Sequence, residues 1–206
     1  MENKYQEVAE IIFILAFCLS SVFFLSLYGR AHVAKSEVDQ FRAIAQPADA
    51  YYEWEKFKVH GRILILFARQ LNAEESESDV SVTGDNYIYQ AAKRNMIRKI
   101  YHIIPDGAWS EVERTLSQFP MVAHSKDTFR FDIAGGVPVL IMRIKDVPAL
   151  KEKVLINIDG GCWSEKELNE ISFELQRKDV ESDLVTASNI LDGNLKGFGV
   201  HGQYFR

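Results

Sequence analysis

Five short apolar runs, separated by stretches of helical character, constrain the fold more than any other feature of this chain. They are "ILILF" (63–67), "IRKIYHIIP" (97–105), "VPVLIMRI" (137–144), "KVLINID" (153–159) and "SDLVTAS" (182–188). The first has no polar break, as in a strand buried on both faces. Between the first two lies "DNYIYQAAKRNM" (85–96), read as a helix with Asp85 or Asn86 as its cap. After Pro105, Asp106 is positioned to cap another helix, with Trp109, Val112 and Leu116 on one face. Strand–helix alternation of this kind argues for a mainly parallel sheet with helices on both sides. The expected fold is α/β: a three-layer, Rossmann-like domain over residues 61–190.

One segment departs from that alternation. Phe129, Phe131 and Ile133 alternate with Arg130 and Asp132, the period of a half-buried strand. Gly135-Gly136 separates this strand from the "VPVLIMRI" run, and a tight turn needs the positive φ that glycine supplies. A β-hairpin inserted beside the parallel sheet is therefore expected. Residues 73–86 are acidic and serine-rich without period, and read as an exposed loop. The best-specified helix start is Ser164, whose S-x-x-E spacing to Glu167 forms a capping box. Trp163 stands before the cap, placed to staple onto Leu168. Leu168, Ile171 and Leu175 mark the buried face. The tail, 191–206, is glycine-rich.

The start of the chain has a different character. Residues 8–28, VAEIIFILAFCLSSVFFLSLY, form an apolar run of the length that spans a bilayer as a helix. Tyr5 and Tyr28 bracket it at interfacial depth, and Glu10 lies near its entrance. The run is longer than a usual signal-peptide core, and the flank at 1–7 lacks basic character. An uncleaved anchor is favoured over a cleaved signal, with the bilayer as its partner. Lys4 on one side and Arg30, Lys35 and Arg42 on the other lean toward a cytoplasmic domain. Export behind an N-terminal anchor is the other common design, so the side stays open. Residues 29–60 are expected to be a helical juxtamembrane segment. Ser36 and Asp39 form a capping pattern, Val38 and Phe41 begin an apolar face, Pro47 breaks it, and Tyr51, Trp54 and Phe57 line a second helix.

A net charge of −5 and the lack of a basic block exclude the electrostatic footprint of a nucleic-acid binder. Cys18 lies in the apolar run and Cys162 at a strand end, so no disulfide framework is read. No G-x-S-x-G elbow, Walker A loop or G-x-G-x-x-G fingerprint occurs. In open α/β sheets ligands bind beyond the carboxyl ends of the strands, near a switch in strand order. That rule selects Asp106, Asp159, Cys162, Thr186 and Ser188 as ligand-binding candidates, with His102 one layer deeper. Cys162, near a helix start, is a position where a thiol pKa is often lowered, although no base is identifiable beside it. His60, His102 and His124 have no metal-ligand spacing.

The stretch N-I-D-G-G-C-W (157–163), with its following helix and the "SDLVTAS" strand, resembles the arginase and histone-deacetylase-like fold. Members of that family carry D-x-D and an aromatic residue at a strand end, where carboxylates hold divalent metals. Asp159 matches one aspartate. Asn157 stands in place of the first carboxylate and Gly161 at a possible third, and no upstream histidine-rich motif accompanies them. The resemblance thus implies a fold without its metal set, and no metal or other cofactor is assigned. The resulting expectation is a single-pass membrane protein whose α/β domain binds a small ligand or a protein partner without conventional catalysis. The alternative is a membrane-associated hydrolase or transferase of the arginase-like type, with Asp106, Asp159 and Ser188 in one pocket.

Overall fold

The computed structural model describes residues 40–75, 81–119, 122–125 and 127–189. The expected flank (1–7), membrane span (8–28), most of the first juxtamembrane helix and the tail (191–206) lie outside the described residues. Among the described residues no helix is long and apolar enough to cross a membrane.

The chain forms a mixed α/β structure on one eight-stranded sheet. The strands are β1 (Phe41–Ala43), β2 (Arg62–Phe67), β3 (Ile97–Ile103), β4 (Ala123–Ser125), β5 (Thr128–Ile133), β6 (Val137–Met142), β7 (Val154–Asp159) and β8 (Ser182–Ser188). Their order across the sheet is β1-β8-β7-β2-β3-β6-β5-β4. All neighbours from β1 to β6 are parallel, and β6-β5-β4 are antiparallel. From β2 the chain builds outward through β3 to β6. It then returns to the other side of β2 with β7 and builds the opposite way through β8. The strand order therefore reverses between β2 and β7.

Among the described residues four α-helices accompany the sheet: α1 (Asp49–Lys56), α2 (Tyr87–Lys93), α3 (Trp109–Leu116) and α4 (Glu165–Arg177). The β2 run shows why both faces must be covered. Leu64 and Leu66 join a core with Tyr51 and Trp54 of α1, Tyr87 and Ile88 of α2, and Trp109 of α3. Ile63, Ile65 and Phe67 point the other way and pack with Leu168, Ile171 and Leu175 of α4. The alternation of side chains along a strand sends adjacent apolar residues to opposite faces, so an unbroken apolar run needs a helix layer on each.

The α4 start follows the sequence closely. Ser164 Oγ accepts from the Glu167 N–H at 3.3 Å, and Glu167 Oε2 accepts from the Ser164 N–H at 2.8 Å. Trp163 is buried with Leu168 and meets Phe67 edge-on, 6.1 Å between ring centroids.

Three expectations are corrected. Phe41 belongs to a strand, not to a helix: β1 pairs with β8, so this segment and α1 are part of the sheet structure instead of a separate helical segment. Three residues are too few to show a period-two pattern. Asp106 does not cap α3. It lies exposed in a 3-10 turn, Asp106–Ala108, and Ala108 occupies the cap position without a side-chain bond. The hairpin forms as expected from β5 and β6, but it is not beside the parallel sheet, because β6 is itself the parallel neighbour of β3. Its turn uses Gly135 and Gly136 at φ +77° and +114°, the conformations that made glycine informative there.

Candidate functional site

Side chains on neighbouring parallel strands that pair in register share a face. In β7 and β8 the pairs are Asn157 with Thr186 and Asp159 with Ser188. All four sit on the α1–α2 face, at the carboxyl ends of strands next to the reversal in strand order. Leu155 and Leu184, each two residues before the Asn157–Thr186 pair, belong to the apolar core on that face. The strands thus change from apolar to polar toward their carboxyl ends.

The deeper pair forms a closed network. Thr186 Oγ1 donates to Asn157 Oδ1 at 2.9 Å, and Asn157 Nδ2 donates to the Tyr87 hydroxyl at 3.0 Å. All three residues are fully or almost fully buried. Burial raises the Tyr87 phenol pKa above its ordinary value. The Asp159 carboxylate adds to that rise, while Asn72 and Asn157 oppose it through hydrogen bonds. Tyr87 is a neutral hydroxyl that ties α2 to β7. Sequence reasoning missed it, although an asparagine inside the apolar "VLINI" run is a signal that a buried partner exists.

The outer pair behaves differently. Asp159 is half-buried and serves the turn that follows it. Its Oδ1 accepts from Asn189 Nδ2 at 2.9 Å and from the Gly161 N–H at 3.3 Å, and its Oδ2 accepts from Cys162 Sγ at 3.4 Å. One carboxylate thereby locks the 3-10 turn Gly160–Cys162 and ties the end of β8 to it. Ser188 beside it is 1% exposed, and its Oγ has no hydrogen-bond partner among the described residues. A buried hydroxyl without a partner costs free energy unless something supplies one.

Cys162 lies within the same turn, and its thiol pKa is not lowered. Burial pushes it up, and the adjacent Asp159 carboxylate pushes it further, outweighing the backbone of Arg69. The thiol is a hydrogen-bond donor to Asp159, not a prepared nucleophile. Thus Asp159, Cys162, Thr186 and Ser188 come together at adjacent strand ends. Asp106 does not join them. It follows β3, on the far side of β2 from β7.

The histidines are dispersed. His60 is exposed near Asn95, and His124 stacks on Phe129 at 4.3 Å between ring centroids. His102 is buried, and its Nε2 lies 2.8 Å from the Ala68 carbonyl. Among the described residues no group of three His, Cys, Asp or Glu side chains is placed to hold a metal ion.

The fold and site define a mainly parallel α/β protein with a polar cluster at the carboxyl edge of its sheet. No family model matches the chain, and neither a curated protein nor a solved structure is significantly similar to it.

Proposed function

We propose that this chain is a membrane-anchored, Rossmann-like α/β protein that binds a small polar ligand at the carboxyl ends of β7 and β8 without conventional catalysis. One observation carries the reading: in-register polar residues, including the partnerless Ser188 hydroxyl, stand where the strand order reverses. That is the crevice in which open α/β sheets bind ligands. The core order β6-β3-β2-β7-β8 supports the Rossmann-like assignment, since in chain order these strands run third, second, first, fourth, fifth. Two features support the non-catalytic role: Asp159 is engaged by three donors, and Cys162 is held as a thiol by burial and by that carboxylate. The apolar run at 8–28 is the proposed anchor, by its length.

The test uses the full chain in detergent, with thermal unfolding measured against a panel of polyols, amino acids and nucleosides. A ligand at about 100 times its Kd stabilises the fold by about 3 kcal/mol. The expected result is a ligand-dependent shift that shrinks in Ser188→Ala and in Asp159→Asn. Metal-dependent turnover abolished by Asp159→Ala overturns the non-catalytic reading and favours the hydrolase alternative. Equal shifts in wild type and both variants overturn the site.

A further inference from the structure

A cavity lies on the other side of β2 from that cluster, between α3 and the sheet. Its volume is about 480 Å³. It opens to solvent at one end, and small-molecule sites commonly measure about 300–1,000 Å³. The cause is the seating of α3. Trp109 is its one fully packed anchor, held against Phe129 at 5.6 Å and under the Arg143 guanidinium at 5.0 Å. Beyond that anchor, Val112 and Leu116 are only half-buried and face the cavity. Ile104, Phe131 and Ile141 supply the opposing apolar wall. The mouth is polar, with Arg69 Nη2 3.3 Å from Glu111 Oε2, both side chains well exposed.

His102 also lines this cavity, although it is 3% exposed. A carbonyl oxygen only accepts, so the contact with Ala68 places the ring proton on Nε2. Nδ1 then carries a lone pair, and it has no hydrogen-bond partner among the described residues. The cavity thus combines an apolar wall, the polar side chains of Arg69, Gln70, Glu111 and Thr115, and one buried acceptor on His102. An ion is disfavoured there by desolvation, and an aliphatic molecule leaves the acceptor unpaired.

We propose that this cavity binds a small, uncharged, largely apolar molecule of the indole or phenol class, whose single N–H or O–H donates to His102 Nδ1. The site is distinct from the β7–β8 cluster and does not depend on it. Burial holds the imidazole pKa down at about 4, so the ring is a neutral acceptor throughout the physiological range.

The probes are indole and benzofuran, which share shape but differ in the donor. Binding to the full chain is followed by the 15N signal of His102 and by calorimetry against protein-free micelles. Indole is expected to bind about 3- to 10-fold more tightly than benzofuran, the span of one net hydrogen bond. His102→Phe removes that preference. Val112→Trp fills the cavity, keeps His102 and abolishes binding of both probes, which guards against a His102 variant that fails to fold. Ser188→Ala leaves both affinities unchanged. Equal affinity for the two probes overturns the donor assignment. Absence of indole binding, or unchanged binding in Val112→Trp, overturns the site.

Discussion

Acidification should destabilise this protein earlier than its carboxylates alone require, because of His102. The ring is buried, with its pKa held at about 4 by desolvation, against an ordinary value of 6.5. The unfolded state therefore binds a proton that the folded state refuses between those values. The folded-state pKa is depressed, so the stabilisation is fully present above 6.5 and is lost as pH falls toward 4. Within that window the slope approaches 1.4 kcal/mol per pH unit, giving a loss of about 2 kcal/mol by pH 5 and about 3 kcal/mol by pH 4. Urea unfolding of the full chain, read by tryptophan fluorescence from pH 7.5 to 5, measures it. His102→Phe lowers stability at pH 7.5, because it gives up the Ala68 bond, but it should flatten the curve across this window. Equal slopes in wild type and variant would place the acid sensitivity in groups other than His102.

Ser164→Ala removes the capping box and should cost about 1 kcal/mol in equilibrium unfolding, with ligand binding unchanged at a temperature where the variant is folded. Asn157→Leu leaves the Tyr87 and Thr186 hydroxyls short of a partner and should cost about 1–3 kcal/mol, with part of that loss recovered in the double variant with Thr186→Val. In a Cys18→Ser background, Cys162 should react with iodoacetamide at pH 7.5 more slowly than an unhindered thiol. Asp159→Asn should accelerate it, and an unchanged rate would contradict the role given to that carboxylate.

Much of the sheet was legible because its strands are written in two clear patterns. "RILILF" and "VLINI" announce burial on both faces, and Phe129, Phe131 and Ile133 announce burial on one. The rule about carboxyl strand ends selected Asp159, Cys162, Thr186 and Ser188, and these four do lie together at adjacent strand ends. It failed for Asp106, because adjacency in the sheet depends on strand order, and strand order is not local information. The Asn157–Thr186–Tyr87 network was hidden for the same reason. Alternation shows that Asn157 shares a face with Asp159, but only the register brings Thr186 opposite and only helix packing brings Tyr87 above. The cavity beside His102 was invisible because Val112 and Leu116 have the spacing of ordinary core residues. Nothing local records that α3 is anchored at Trp109 and stands away beyond it. Cys162 illustrates a last limit: a helix start lowers a thiol pKa, and here burial and one neighbouring carboxylate win over it.

The most direct test of the central claim is an amide 15N–1H map of the full chain titrated with the strongest ligand of the polar panel. Binding at the carboxyl ends of β7 and β8 predicts shifts concentrated at residues 157–162 and 186–189, and their loss in Ser188→Ala. Shifts concentrated instead at the amino edge, residues 58–62 and 181–184, would contradict it.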